Sequence, residues 1–367
     1  MTRRTPKILV IALPVLGDVL LSTPLISAIR RAWPRAAIDV LTRPGGGEIL
    51  EGNPDVSEVI ELPRKPRAGA LLRFLLGHFR RYDQVFSNSA SDRALVYGLV
   101  LGRRASSLVV DGHRNRRLKE RLYRRTVLID YSRNHTIVQN LMLLPEEHRR
   151  RPEVTLPTRS DSAQRLSAVL GEAWRRAPYA VVHPNSAVAL KRWHRPGWLD
   201  VVGHLQNRGL RVLVSGGPGD AERRYAEDEL GLADTGAESL VGRLSLADVA
   251  YLLAGCHVYV GVDTVVTHMA AAAGAPTIAL FGPANAVNWG PWPEGIDAAE
   301  SPWEEHGSQQ CGNVHIVQGP SCGVGCGRSR CERSARGTGL CLDDLRSDAV
   351  ITAVDRMLGP VKVAAVS

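Results

Sequence analysis

Asp263, Thr264 and His268 bring a carboxylate, a hydroxyl and an imidazole together just behind the short apolar run at 258–262, VYVGV. A run that short and β-branched reads as a buried strand, and the spacing after it opens a helix. Groups at the carboxyl end of a buried strand are where an α/β protein meets its ligands. A second edge of this kind lies near the N-terminus. Residues 8–16 are nearly continuous apolar sequence, Gly17 and Asp18 interrupt it, and residues 19–33 then take helical spacing, with Pro24 in the first turns. Two separate strand ends, each carrying an acidic residue, suit a cleft between two domains better than one closed pocket.

The elements around these edges follow one rhythm. Strands are expected near 8–13, 37–41, 59–62, 84–86 and 107–110, with helices between several of them. This is the alternation of a doubly wound sheet. A new alternation begins at Tyr179, with strands near 179–182, 211–215, 257–260 and 277–281 and helices near 198–208, 221–230 and 246–254. The boundaries that follow are an N-terminal domain over 1–175, a second over 176–342, and a last segment, 343–367, whose helix packs back on the first domain.

A chain of 367 residues with 44% hydrophobic residues, 35 Gly and 22 Pro fits a loop-rich α/β enzyme and excludes a disordered chain. Its net charge of +9 calls for an acidic partner without saying which. The densest basic stretch is 113–125, HRNRRLKERLYRR, expected to be a docking surface for a phosphorylated acceptor, with a solvated helix as the other reading. Residues 71–81, LLRFLLGHFRR, read evenly as a packed helix or as a stretch lying at a membrane interface. No apolar run reaches the roughly 18 residues that cross a bilayer. Pro14 and Asp18 break the apolar stretch that would otherwise resemble a signal peptide, so a cytoplasmic protein is expected.

Four ordered blocks then point one way. The opening ILVIALPVLGDVLLSTPLISAIRRAWP, the segment HPNSAVALKRW, Gly216-Gly217 with Glu222, and GVDTVVTHMAAAAGAPTIALFGP together resemble the lipopolysaccharide heptosyltransferase family, glycosyltransferase family 9. The resemblance implies two Rossmann-like α/β domains in a GT-B arrangement, with an interdomain cleft. It also implies inverting transfer of heptose from ADP-heptose to a lipopolysaccharide inner-core acceptor. The partners implied are a nucleotide-sugar donor and a phosphorylated glycolipid, at the cytoplasmic face of an inner membrane and with peripheral contact to it. The chemistry needs no cofactor.

Site residues carry over from the matching blocks. Asp18 is the implied general base for the acceptor hydroxyl, and Lys191 the implied phosphate contact that offsets charge on the departing diphosphate. Asn185 and Ser186 match a polar loop near the diphosphate, and Glu222 matches an acidic residue on the ribose. Asp263 resembles the carboxylate that holds sugar hydroxyls, while the amides of Thr264 and Val265, at a helix start, can receive phosphate oxygens. His268 divides evenly between ligand contact and a structural bond. In isolation Asp18 reads as a helix N-cap and Lys191 as a surface lysine. Two positions depart from the family. Val265 and Asn185 stand where glycine is common, and the stiff Val265 favours a donor other than ADP-heptose. The alternative is a transferase using another nucleotide sugar or a different polysaccharide or modified acceptor.

Cys322, Cys326, Cys331 and Cys341 form C-x3-C-x4-C-x9-C. Four thiolates can hold a structural zinc or an iron–sulfur centre, although this spacing matches neither a standard finger nor the usual ferredoxin pattern. Reduced thiols and, less readily in the cytoplasm, a disulfide are the other readings. No nucleic acid is expected, because the arginines accompany no helix-turn-helix, finger or single-strand-binding pattern. A dinucleotide oxidoreductase would need a glycine-rich fingerprint after the first strand, and Leu16-Gly17-Asp18 does not supply one.

Overall fold

The computed structural model describes residues 5–13, 15–149, 151–320 and 340–360. The chain divides into two compact units, one comprising Met1–Pro157 with Asp297–Ser301, the other Thr158–Ile296 with Pro302–Ser367. The first is built on β1 (Lys7–Ala12), β2 (Ala37–Thr42), β3 (Glu58–Glu61), β4 (Gln84–Ser87), β5 (Ala105–Val109) and β6 (Arg125–Leu128). The order is β3-β2-β1-β4-β5-β6 and every pairing is parallel. β1 reads as unbroken apolar sequence because a central parallel strand is covered on both faces. Leu9 and Ile11 pack with Leu101 and Tyr123 on one side. Helix Thr23–Ala32 buries Leu25, Ile26, Ala28 and Ile29, and its Pro24 sits at the helix start, where a missing N–H costs nothing.

The second unit carries β7 (Tyr179–His183), β8 (Arg211–Val214), β9 (Glu238–Ser239), β10 (Val258–Val262), β11 (Thr277–Phe281), β12 (Gln309–Cys311) and β13 (Val314–Gln318). Their order is β12-β13-β11-β10-β7-β8-β9, with only the edge strand β12 antiparallel. In both units the chain starts in the middle of the sheet, builds outward to one side, then crosses back and builds to the other. The expected doubly wound rhythm therefore holds twice, and β6, β9, β12 and β13 add to it, β9 and β12 being only two and three residues long.

Two expected boundaries are corrected. Helix Ser162–Leu170 belongs to the second unit, where Arg165 Nε bonds Asp248 Oδ2 at 2.9 Å, so the division falls after Pro157 rather than after residue 175. The last helix, Ser347–Leu358, also packs on the second unit and not on the first. Its Val350, Ala353 and Val354 are buried among Trp198, Val201, Val202 and Leu205, because its apolar stripe matches that of helix Arg195–Asn207.

The basic stretch at 113–125 is corrected in part. Its helix, Arg116–Leu122, turns Lys119 fully inward, where Nζ donates to Ser89 O at 3.0 Å and Ser107 Oγ at 2.9 Å. Burial lowers the Lys119 pKa to about 8, an effect that Asp92 opposes. Arg114 pairs with Asp92, and Arg116 with Asp111 and Glu120. Part of the run is thus structural.

Candidate functional site

The site in the second unit forms where the strand order reverses. β7 and β10 are neighbours, His183 standing opposite Gly261, and the chain leaves them towards opposite sides of the sheet. The divergence opens a crevice at the carboxyl ends of these strands. The loop after β7 carries Asn185, Ser186 and Lys191, and the turn after β10 carries Asp263, Thr264 and helix Val265–Ala272.

Lys191 lies in the turn Ala189–Lys191 and its Nζ is 2.5 Å from Asp263 Oδ2. The carboxylate is buried and the ammonium partly exposed, so the pair presents its cation towards solvent. One turn into the helix, the His268 imidazole is buried with no hydrogen-bond partner for Nδ1. Burial pushes its pKa down to about 4, against the pull of Asp263, and Lys191 pushes it the same way as burial. His268 is therefore a neutral imidazole at neutral pH. Thr264 is the N-cap residue, in extended backbone, and its carbonyl accepts from the amides of Thr267 at 3.1 Å and His268 at 3.3 Å, while the Val265 and Val266 amides have no intrahelical acceptor. Val265, half-buried, opens that turn.

Asn185 is almost completely enclosed, at 2% exposure, yet neither its Oδ1 nor its Nδ2 has a partner. A buried primary amide with all its bonds open is costly unless a ligand completes it. It fits only because Gly216 lacks a side chain: a Cβ there would stand 2.3 Å from Asn185 Nδ2. Gly217 N donates to Glu222 Oε2 at 2.7 Å, closing the turn after β8 around the carboxylate. Ser186 Oγ accepts from Val188 N at 3.1 Å, so its hydroxyl is partly engaged in shaping its own loop.

Two residues of this edge escaped the sequence reading. Arg192 donates from Nε to Ser186 O at 3.0 Å and lies 4.3 Å above the Tyr225 ring, bracing the loop. His183 ends β7 fully buried, Nδ1 at 3.0 Å from Ser215 Oγ, and burial lowers its pKa to about 4 although a Ser215 bond opposes the shift. A histidine closing an otherwise apolar strand was the available signal for the second. Nothing local marked Arg192.

Asp18 occupies the corresponding edge of the first unit, between β1 and β4. It is not an N-cap: it sits in the first turn of helix Leu16–Leu20, and its Oδ2 accepts from the N-cap amide of Val15 at 3.1 Å. Its carbonyl accepts from Ser22 Oγ at 2.6 Å, and Ser22 Oγ in turn accepts from Asn88 Nδ2 at 2.7 Å, just beyond β4. The carboxylate is thus held in place in a buried turn, where it can take a proton.

The structure brings Asn185, Ser186, Lys191, Asp263, Thr264, Val265 and His268 to one edge and sets Glu222 on the neighbouring strand's turn. A cation, open amides and a carboxylate in such a crevice suit a ligand with both phosphates and hydroxyls. Cys322, Cys326 and Cys331 lie outside the described residues. Cys341 is buried in helix Leu340–Asp343, its carbonyl only 1.5 Å from where a Cβ on Gly319 would lie. Among the described residues no three metal-binding side chains gather, and no helix is long and apolar enough to cross a membrane.

A chain of two parallel-sheet α/β units of this topology has the fold of the GT-B glycosyltransferases. Residues 99–313 match the model of glycosyltransferase family 9 (heptosyltransferase), and the chain belongs to that family. Membership makes it a nucleotide-sugar-dependent glycosyltransferase. Lipopolysaccharide heptosyltransferase 3 of Escherichia coli K12 is 27% identical over 305 residues, covering 76% of this chain and 83% of the relative. Among solved structures, a family 9 glycosyltransferase from Veillonella parvula superposes with a TM-score of 0.74 at 18% identity, covering 98% of each chain. The E. coli ADP-heptose lipopolysaccharide heptosyltransferase II does so at 0.71 and 19%, covering 96% of this chain and 98% of that one. The matched family span includes every residue named above at the second unit's crevice and begins after Asp18.

Proposed function

We propose that this protein transfers heptose from ADP-heptose to a phosphorylated glycolipid of the lipopolysaccharide inner core, with inversion, at the cytoplasmic face of a membrane. The observation that carries the donor side is the Lys191–Asp263 pair at the start of helix Val265–Ala272, on the same sheet edge as the open Asn185 amide. In this reading the Asp18 carboxylate takes the proton of the acceptor hydroxyl as that oxygen attacks the anomeric carbon. The bond from that carbon to the β-phosphate oxygen breaks in the same displacement. ADP leaves with the bonding pair, and Lys191 together with the Thr264 and Val265 amides offsets the growing negative charge. Asp263 and Asn185 hold sugar hydroxyls or phosphate oxygens. Glu222, one oxygen of which already bonds Gly217, offers the other to the ribose. No metal or redox group enters these steps.

The test is product mass after incubating the purified protein with a truncated lipopolysaccharide acceptor and, separately, ADP-heptose and other nucleotide sugars. Asp18→Asn is the informative variant, because asparagine keeps an acceptor for the Val15 amide and so preserves the turn. It is expected to bind ADP-heptose normally and to lose about 10²–10⁴ of its turnover. Undiminished turnover would remove Asp18 from the base role. A second reading, transfer from a different nucleotide sugar, is favoured by Val265, whose β-branched side chain stiffens the turn that meets the phosphates. Product formed only from another donor would establish it.

A further inference from the structure

Helix Ala68–Gly77 in the first unit has no fully buried residue. Its inner side, Leu71, Phe74 and Leu75, is half-buried against the core of that unit. Its outer side is also apolar. Leu72 and Leu76, with Phe79 just past the helix, lie at i, i+4 and i+7 and are 57%, 67% and 64% exposed. Three large apolar side chains exposed in register on one helix face make a patch of the kind that marks an interaction surface. Exposed Arg64, Lys65 and Arg67 precede the helix and exposed Arg73 lies within it. None of the four forms an ion pair among the described residues. Helix Arg116–Leu122 repeats the pattern, with Leu118 and Leu122 exposed beside Arg117 and Arg121. It is tied to the neighbouring helix Asp92–Leu101 by Tyr123, whose hydroxyl donates to Leu95 O at 2.9 Å.

We infer that this face of the first unit docks on an anionic lipid bilayer, with the leucines and Phe79 entering the headgroup–acyl boundary and the arginines lying among the lipid phosphates. Charge selects this occupant. A second copy seated on the same patch would set one cationic rim against another. A nucleic acid would satisfy the arginines and leave the leucines without a partner. An anionic bilayer satisfies both at once. Lys119 and the ion-paired Arg114 and Arg116 take no part, which confines the basic contribution to the outward residues.

The test is co-sedimentation of the full chain with vesicles of phosphatidylcholine alone and of phosphatidylcholine mixed with phosphatidylglycerol. The expected result is binding to the mixed vesicles that weakens with salt, and little binding to the neutral ones. Leu72→Ser with Leu76→Ser adds no charge and removes exposed side chains only. It is expected to weaken vesicle binding by about tenfold per leucine at an unchanged melting temperature. Arg73→Gln is expected to weaken it about fivefold. Equal binding to both vesicle types, or binding indifferent to the serine variant, would overturn the inference. So would sedimentation velocity showing a dimer that dissociates in the serine variant. Donor and acceptor are absent from this measurement, so its outcome is separable from that of the transferase proposal.

Discussion

In the proposed transfer, the donor side rests on a cation that is already occupied. Lys191 contacts Asp263 at 2.5 Å, so an arriving diphosphate must compete with a carboxylate for the same ammonium. Lys191→Ala is expected to lower kcat/KM by about 10²–10³, the usual cost of deleting one donor to a developing anion. Asp263→Asn removes the competitor and is expected to tighten ADP binding several-fold by calorimetry while turnover falls, because the carboxylate proposed to hold sugar hydroxyls is lost with it. Parallel losses in both measurements would mean that Asp263 serves only to position Lys191. The types of these residues were legible in the sequence, since DT after a strand and KRW after HPNS are local patterns. Their pairing was not, because 72 positions separate them. Nor was the stranded amide of Asn185, which exists only because β8 brings Gly216 against it.

At the scale of elements, the donor-side scaffold is tied by interactions between distant helices. Helix Leu246–Leu253 begins with a capping box in which Ser245 and Asp248 exchange bonds, and the fully buried Asp248 carboxylate also holds Arg165. Asp248→Ala keeps the Ser245 cap but removes the reciprocal half of the box, the carboxylate that accepts from Ser245 N and from Arg165. A destabilisation of about 1–2 kcal/mol in urea unfolding is expected, because the partly exposed Arg165 can turn to water. The capping box was readable as S-x-x-D before an apolar run. The Arg165 bond was not, and it is what carries helix Ser162–Leu170 into the second unit. Lys119 makes the same point in reverse. Its neighbours suggested a basic docking surface or a solvated helix, but strand β5 offers Ser107 to it, and three polar contacts draw the ammonium inside.

For the molecule as a whole, two buried imidazoles set a pH dependence. His183 and His268 both have folded pKa values near 4, below the ordinary value of 6.5. The unfolded chain therefore binds protons that the native second unit excludes, and stability is complete above about pH 6.5 and lost as the pH falls towards 4. The full loss approaches about 3 kcal/mol per imidazole. The melting temperature should fall steeply over that window, and His183→Gln should flatten the decline. An unchanged profile in the variant would mean that His183 is solvated in the folded protein.

What the sequence by itself determined was the α/β class, its repetition in two sheets and the residues at two strand ends. These are written in periodicities and short motifs that span one turn or one strand. Tertiary structure alone decided which charges face inward, which amide is left open, where one unit ends and the next begins, and which sheet the last helix covers. Each of those depends on residues tens or hundreds of positions apart meeting across a packed core. The free energy of such contacts comes from excluding water between particular surfaces, and no window along the chain contains both of them.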